Sequence, residues 1–235
     1  MEKSGNLKPN PPVRQIPIAG RPAVSARLDG PVTATTCFVF AHGAGAGMDH
    51  SFMQAVAGGL AARGIATLRY QFPYMEQGSK RPDAPVVAHA AVRAAVAFAR
   101  KTIPQAALIA GGKSFGARMT SQAQALDPLD GVAALVFFGF PLHPAGKPSI
   151  ERAGHLRDIE VPMLFLQGTR DKLAELPLLE PVVAKLGQHA RLTLLAEADH
   201  SFHVPVRSGR TDAAVMDELL DTFAAWSEAV VRKRS

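Results

Sequence analysis

Cysteine is nearly absent from this sequence, and that scarcity limits what the protein can be. The single thiol, Cys37, cannot form a disulfide within the chain. It lies in a short apolar run, where a lone cysteine is typical of an inert, buried strand residue. No stretch of about 18 consecutive apolar residues occurs, and the first residues lead into prolines instead of an apolar signal region. We therefore expect a protein of the reducing cytoplasm that has no membrane partner.

Acidic residues are the minority among the charges. The sequence has 26 Lys and Arg against 20 Asp and Glu, a formal charge of +6, and aromatic residues make up only 6%. The basic residues are scattered and form no stripe interleaved with aromatics. This pattern favours a solvated basic surface over a nucleic-acid interface, so we expect no nucleic-acid partner. The oligomeric state stays open.

The composition predicts one globular domain. Hydrophobic residues make up 47% of the sequence, which is enough for a sizeable core, and no linker-like stretch interrupts the middle of the chain. Residues 1–12 are polar and rich in proline, so they predict a flexible N-terminal tail. The single domain is then expected to span residues 13–235.

Apolar runs of strand length alternate with helical patterns along most of the chain. Predicted strands lie at 37–41, 66–70, 105–110, 133–139, 162–167 and 191–196, after two that could form an antiparallel edge, 13–18 and 23–28. Predicted helices lie at 51–63, 88–101 and 211–232. This alternation is typical of an α/β fold, with a mostly parallel central sheet covered by helices on both faces.

The strongest motif is Gly-Lys-Ser-Phe-Gly at residues 112–116, directly after a predicted strand and before a helical pattern. A serine in this context lies on a sharp strand-to-helix turn, where small neighbours let the backbone pass and the hydroxyl projects above the sheet. The motif therefore predicts that Ser114 is a nucleophile on such an elbow.

A serine hydroxyl is a weak nucleophile at neutral pH, so it needs a base and an acid that orients the base. Asp171 follows the predicted strand at 162–167, and His200 follows the one at 191–196. Parallel strands end at one edge of the sheet, so all three residues are expected at that edge, in the order serine, acid, histidine. Asp199 is the fallback acid, although it cannot easily orient its own sequence neighbour.

Acyl chemistry also needs backbone N–H groups that stabilise an oxyanion. Residues 42–47, His-Gly-Ala-Gly-Ala-Gly, follow the predicted strand at 37–41, and their glycines let the main chain approach a ligand. The expected donors are the amides of Phe115 and Ala44, with Gly45 as a less favoured substitute for Ala44.

Four further residues are candidates for lining the substrate pocket: His42, Tyr74, His143 and His203. His42 is expected to shape the glycine-rich turn instead of transferring protons. Lys113 and Arg118 flank the elbow, where they would steer an anionic substrate or, as we favour, form surface ion pairs. His200 and His203 lack the spacing of a metal site, so neither a metal nor another cofactor is expected.

The motifs at 42–47 and 111–118 resemble those of the dienelactone-hydrolase-related α/β-hydrolases. Within these, the sequence looks most like the branch named after a testis-expressed protein and a subunit of the NSL histone acetyltransferase complex, which residues 138–148 and 165–171 also match. The resemblance spans roughly residues 36–203 and implies an α/β-hydrolase core with Ser114, Asp171 and His200 as its triad. Dienelactone hydrolases carry a cysteine nucleophile, so the serine here means that their substrate is not transferred.

About 20 residues separate the strands near 140 and 161, which leaves little or no room for a cap domain; the other candidate cover is the loop at 71–87. We therefore predict a serine hydrolase that acts on a soluble, small or medium carboxylic ester, thioester or lactone through an acyl-enzyme. A non-catalytic binding or scaffold protein, and an acyltransferase with the same triad, remain alternatives.

Overall fold

The computed structural model describes residues 10–232, and the first nine residues of the predicted tail lie outside this range. Within it, eight strands alternate with six α-helices. The strands are β1 (Arg14–Ile18), β2 (Arg21–Asp29), β3 (Thr36–Ala41), β4 (Ala66–Tyr70), β5 (Ala107–Lys113), β6 (Val132–Phe138), β7 (Met163–Gly168) and β8 (Ala190–Leu195). The α-helices are α1 (Ser51–Ala62), α2 (Pro73–Glu76), α3 (Pro85–Thr102), α4 (Phe115–Leu126), α5 (Leu176–Lys185) and α6 (Asp212–Arg232). Short 3-10 helices span Glu151–Asp158, Gly187–His189 and Val206–Ser208.

The strands form one sheet in the order β1-β2-β4-β3-β5-β6-β7-β8. Strands β3 to β8 are parallel to one another, and β2 is antiparallel to both β1 and β4. The predicted parallel sheet with an antiparallel edge is therefore confirmed. Since β5, β7 and β8 share one direction, the loops that follow them all leave from the same edge of the sheet.

Two apolar layers hold the sheet between its helices. Every residue of β3, β6 and β7 is buried, because helices cover both faces of the central strands. One layer packs against α3, α4 and α5, and the other packs against α1 and α6. In the second layer, Phe38 contacts Phe223 of α6 with ring centroids 4.9 Å apart. The core thus fixes the central strands, and with them the loops at their ends.

Strand β5 is longer than predicted, because it continues through two glycines to Lys113. Glycine disfavours strands, but Gly112 pairs with Ala41 of β3 on one side and with Phe137 of β6 on the other. Helix α4 then begins at Phe115, so only Ser114 separates strand from helix. Helix α5 was not predicted, since its prolines, including Pro181 in its interior, disfavour a helix.

The predicted absence of a large cap domain agrees with the structure. The connection from β6 to β7 holds only the 3-10 helix Glu151–Asp158, and the segment 71–87 forms α2 and the start of α3. Tyr74 of α2 is buried against the body of the molecule. Among residues 10–232, none of the helices combines the length and the apolar character needed to cross a bilayer.

Candidate active site

Ser114 occupies a strained turn between β5 and α4. Its φ of 51° and ψ of −112° lie in a region that L-residues rarely adopt. A Cβ at Gly112 would lie 2.6 Å from the Ala41 carbonyl oxygen, and one at Gly116 would lie 2.4 Å from it. Only glycine therefore allows β5, the turn and α4 to pack this closely against β3. The turn holds Ser114 at the sheet edge, where it borders a cavity.

The structure brings Ser114, His200 and Asp171 into direct contact. The Ser114 Oγ lies 2.9 Å from His200 Nε2, and His200 Nδ1 lies 2.7 Å from Asp171 Oδ2. An ionised carboxylate only accepts hydrogen bonds, so the imidazole proton belongs on Nδ1 and Nε2 is free to accept the serine hydroxyl. Asp199, the fallback acid, instead accepts the backbone N–H groups of Ser201 and His203 at 2.8 and 3.0 Å.

Asp171 accepts hydrogen bonds on both of its carboxylate oxygens. Its side chain is fully buried, and its Oδ1 accepts the Leu173 N–H at 2.8 Å. Its Oδ2 accepts the Gln167 amide as well as His200. The Gln167 Oε1 in turn accepts the Phe140 N–H at 2.9 Å, so this side chain links the ends of β6 and β7 to the acid. Sequence analysis missed Gln167, although a polar residue ending a buried apolar strand was a usable signal.

Replacing Gln167 with leucine is expected to lower the free energy of unfolding by about 1–3 kcal/mol, because the buried Phe140 N–H would lose its acceptor. Turnover should also fall, since Asp171 would lose a donor that fixes its orientation. Urea denaturation and kcat for one ester substrate measure the two effects. Gln188→Leu, which changes an exposed glutamine, is the matched control. A free energy of unfolding in Gln167→Leu equal to that of wild type would show that the hydrogen bonds of Gln167 do not stabilise the fold.

The predicted oxyanion donors differ in whether their backbone N–H groups already form hydrogen bonds. Phe115 opens α4, so its N–H has no partner within the helix and lies at the positive end of the helix dipole. Ala44 is exposed and lines the same cavity as Ser114. The Gly45 N–H instead donates to the Tyr74 hydroxyl at 3.1 Å. The Gly45 N–H therefore already has an acceptor, and the roles of Phe115 and Ala44 as oxyanion donors stay predictions.

His42 does not line the pocket, and its prediction as a lining residue is wrong. The ring is fully buried, its Nε2 accepts the Phe72 N–H at 3.0 Å, and its Nδ1 lies 2.7 Å from the Gly43 carbonyl oxygen. Since Nε2 accepts, the proton must be on Nδ1 and donated to Gly43. Burial lowers the pKa of His42 to about 4, so the ring stays neutral at physiological pH. It shapes the glycine-rich loop, as the sequence led us to expect.

The other three candidates also lie away from the cavity beside Ser114. Tyr74 is buried among His42, Phe72 and Phe115, and burial raises its pKa. His143 is fully buried, with Nδ1 2.9 Å from the Pro144 carbonyl oxygen. His203 is largely exposed and pairs with Asp212 at 2.8 Å, an interaction that raises its pKa. None of the three is among the residues that line the cavity beside Ser114.

The cavity beside Ser114 has a volume of about 400 Å³, within the range of small-molecule sites. Much of its wall is apolar. The sequence indicated Ala44, Ser114 and His200, but it did not indicate apolar side chains such as Phe52, Met53 and Leu173, because these come from separate elements. The lining consists of Gly43, Ala44, Ala46, His50, Phe52, Met53, Lys113, Ser114, Leu173, His200 and Ser201. The site therefore places the Ser114 hydroxyl at the edge of an open, partly apolar space.

Neither Lys113 nor Arg118 forms the expected surface ion pair within residues 10–232. The Lys113 Nζ donates to the backbone carbonyl of His200, and burial lowers the pKa of Lys113 to about 8. The Arg118 guanidinium lies 6.0 Å from the centre of the Phe115 ring, and burial followed by the nearby Arg152 lowers its pKa. Favouring ion pairs at these two positions was therefore wrong.

A second cavity, of about 660 Å³, lies against α6 and the starts of β3 and β4, at the opposite edge of the sheet. It is the larger space, but its charged side chains pair with one another, Arg63 with Asp221 at 2.6 Å and Arg232 with Glu228. Volume alone therefore does not locate the chemistry. Within residues 10–232, no three side chains of His, Cys, Asp or Glu cluster in a way that would hold a metal ion.

The chain belongs to the alpha/beta hydrolase domain family, whose model matches residues 34–228. Among solved structures it is similar to a dienelactone hydrolase from Anabaena variabilis, with a TM-score of 0.73 and 20% identity over 91% of this chain and 94% of that one. It is equally similar to an alpha-beta serine hydrolase homologue from Coxiella burnetii, with a TM-score of 0.73 and 18% identity over 92% and 98%. A serine hydrolase without lid from Xanthomonas campestris has a TM-score of 0.65 and 20% identity over 90% and 94%. These likenesses establish the α/β-hydrolase fold.

Proposed function

We propose that the protein is a serine hydrolase that cleaves small or medium carboxylic esters, thioesters or lactones through an acyl-enzyme. One observation carries this proposal: Ser114, His200 and Asp171 form a continuous hydrogen-bonded series with links of 2.9 and 2.7 Å beside an open cavity. This is the contact pattern that an activated serine nucleophile needs, since the base must reach the hydroxyl and an acid must orient the base.

The first half of the reaction forms the acyl-enzyme. Ser114 Oγ attacks the carbonyl carbon of the substrate while His200 Nε2 accepts the hydroxyl proton. Asp171 stabilises the resulting imidazolium through its bond to Nδ1. Negative charge develops on the carbonyl oxygen, where the amides of Phe115 and Ala44 donate hydrogen bonds; one such donor can contribute about 3 kcal/mol. The tetrahedral intermediate then collapses, and His200 returns its proton to the leaving oxygen or sulfur.

The second half releases the acid. A water molecule attacks the acyl group on Ser114, and His200 now takes the proton from that water. The cavity is open to solvent, and Ser114 and His200 are only partly buried, which lets water reach the ester bond. Collapse of the second intermediate restores the serine hydroxyl and frees the carboxylic acid.

We also propose that the chain falls in the branch named after the testis-expressed protein and the NSL-complex subunit. The motifs at 42–47, 111–118, 138–148 and 165–171 support this placement. The partner of the site would be a small acyl compound, and the protein would act in the cytoplasm without a nucleic acid or a membrane.

A fluorophosphonate probe tests the proposed function directly, because it reacts only with serines that an adjacent base activates. Native protein should be labelled stoichiometrically, and labelling should compete with hydrolysis of a simple ester. Denatured protein, in which the three side chains separate, is the control and should not react. Native protein that neither reacts with the probe nor hydrolyses any ester, thioester or lactone would refute the proposal.

The size of the cavity predicts a preference for short acyl chains. Across a series of p-nitrophenyl esters, kcat/KM should peak at short or medium chains, because a space of about 400 Å³ cannot cover a long one. The walls contributed by Phe52, Met53 and Leu173 should favour butyrate over acetate modestly, since each buried methylene contributes about 0.8 kcal/mol. A peak at long acyl chains would contradict this prediction.

A further inference from the structure

Lys113 lies next to the nucleophile in the chain but has no place in the reaction outlined above. It is the last residue of β5, and its side chain follows Ile109 on the face of the sheet that packs against α1 and α6. On that face it meets the loop that carries His200. Within the described residues 10–232 no carboxylate bonds to this lysine, which lies beside both Ser114 and the loop of His200.

The ammonium group of Lys113 is enclosed by three contacts. Its Nζ donates to the backbone carbonyl oxygen of His200. It lies 5.0 Å from the ring centre of Phe202 and 5.8 Å from that of Phe52, and these two rings stack on each other. Both distances suit cation–π attraction, which strengthens when water is excluded. The ammonium therefore bonds the loop of His200 through both its backbone and its Phe202 side chain.

Gly139 lies against both the Lys113 ammonium group and the His200 ring. Its φ is +65°, and a Cβ there would lie 2.8 Å from Lys113 Nζ and 3.4 Å from Cε1 and Nδ1 of the His200 ring. The lysine nitrogen and the imidazole thus share the space that the missing side chain leaves. A displacement of one would be transmitted to the other, since interiors packed this closely do not deform freely.

Opposing electrostatic effects act on Lys113. Burial disfavours the ammonium form, whereas the negative charges of Asp171 and Asp199 favour it. Burial is the larger effect, so the pKa falls from 10.5 to about 8. The side chain is therefore charged at neutral pH and loses its charge in mildly alkaline solution. A neutral amine is a much weaker hydrogen-bond donor than an ammonium and has no cation–π attraction.

We propose that Lys113 is a positioning residue whose ammonium group ties the loop carrying His200 to the elbow carrying Ser114, and that loss of its charge loosens this tie and lowers turnover. The inference rests on the proposed function and deepens it, because it assigns the site a means of regulation. Lys113 would act through the position of the imidazole, with no contact to the reacting atoms. Misplacing a catalytic group by about 1 Å can lower a rate by roughly 10²-fold.

The effect on turnover should be separable from unfolding. Between pH 8 and 10.5, the unfolded chain would hold the Lys113 proton while the folded chain would not. The unfolded state then binds more protons, so the titration of this group raises the stability as the pH rises through that window. A fall in activity there would report a change at the site.

The test compares kcat of wild type and Lys113→Met from pH 6 to 10 on one neutral ester. Below pH 8 the kcat of the variant should be about tenfold lower, because the imidazole is misplaced; kcat and not KM is compared, since Lys113 also lines the cavity. Above pH 8 the wild type should decline towards the variant, so their ratio should fall with a midpoint near the pKa of about 8. Lys185→Met, which removes an exposed lysine, is the matched control and should follow wild type throughout. A purely structural lysine would give a ratio that does not change with pH, and that result would overturn the inference.

Lys113→Arg provides a second variant if the methionine variant does not fold. Arginine stays charged at all accessible pH values, so its kcat should not decline between pH 8 and 10. A decline like that of wild type would assign the alkaline limb to another group and overturn the inference.

A measurement without substrate separates this inference from the proposed function. The Cε1–H proton resonance of His200, identified by its loss in His200→Gln, should shift with a midpoint near pH 8 in wild type and not in Lys113→Arg. If this shift occurs but the protein hydrolyses no ester, the result would support the positioning role of Lys113 and refute the proposed hydrolase function. Hydrolysis with a resonance that does not respond above pH 7 would support the hydrolase and refute the tie.

Discussion

Ser114→Ala is expected to abolish fluorophosphonate labelling and to lower ester turnover by roughly 10⁴- to 10⁶-fold. The substitution removes the only atom that would bond to the acyl group, the Oγ that lies 2.9 Å from His200 Nε2. The fold should persist, because Gly112 and Gly116 still allow the turn to pack against β3. Circular dichroism and thermal unfolding of the variant check that the loss of activity is chemical.

Ser121→Ala is the matched control, since Ser121 also contacts a histidine. Its Oγ lies 2.8 Å from His155 Nε2, but it also lies 2.9 Å from the Arg118 carbonyl oxygen, which can only accept. The Ser121 hydroxyl must therefore donate to that carbonyl and accept from His155, which is the opposite of an activated nucleophile. Burial and the charge of Arg118 lower the pKa of His155 to about 4, so this ring stays neutral. Loss of labelling in Ser121→Ala with labelling retained in Ser114→Ala would mean that the nucleophile is Ser121.

Asp171→Asn is expected to lower kcat by about 10⁴-fold while leaving the fold intact. Three donors converge on this carboxylate: the Leu173 N–H on Oδ1, and the amide of Gln167 and the ring of His200 on Oδ2. An asparagine offers one oxygen and one NH₂ group, so at least one donor must face the NH₂. If that donor is His200, its Nδ1 must become the acceptor, and the proton moves to Nε2, where it blocks removal of the serine proton. Steady-state kinetics at several pH values measure the loss.

Asp199→Asn distinguishes the two candidate acids. The Asp199 Oδ1 accepts two backbone N–H groups in its own loop, and an asparagine oxygen can keep both bonds. Its kcat should therefore stay within a few-fold of wild type. A large loss in Asp199→Asn combined with a small one in Asp171→Asn would exchange the roles of the two residues and contradict the assignment.

The sequence predicted the parts of the site that local patterns encode. Glycines on both sides of Ser114 indicate a sharp turn, and Asp171 and His200 each follow an apolar run of strand length. Because parallel strands end at one edge, the order of these segments was enough to predict that the three residues converge. The structure places them within hydrogen-bond distance, while their catalytic roles stay predictions that the variants above test.

Prediction from strand order failed for side chains whose environment depends on their orientation in the folded protein. His143 and His203 also follow strands, yet one is fully buried and the other pairs with Asp212 at the surface. Gln167 was read as the end of an apolar strand, and Lys113 as a surface cation. Their partners, the amide of Phe140 and the carbonyl of His200, lie 27 and 87 residues away in the chain.

By itself the sequence determined the class of fold, the turn that carries Ser114 and the loops in which an acid and a base should lie. These features depend on the spacing of apolar residues, on the glycines beside Ser114 and on the order of the strands. Each of these can be read from a short segment or from the order of segments along the chain. Tertiary structure alone decided which polar side chains face the cavity and which form hydrogen bonds to the backbone of a neighbouring segment. His42, Gln167 and Lys113 form such bonds. Hydrogen bonds and desolvation depend on atoms that packing brings together from distant segments, and no local pattern records those neighbours.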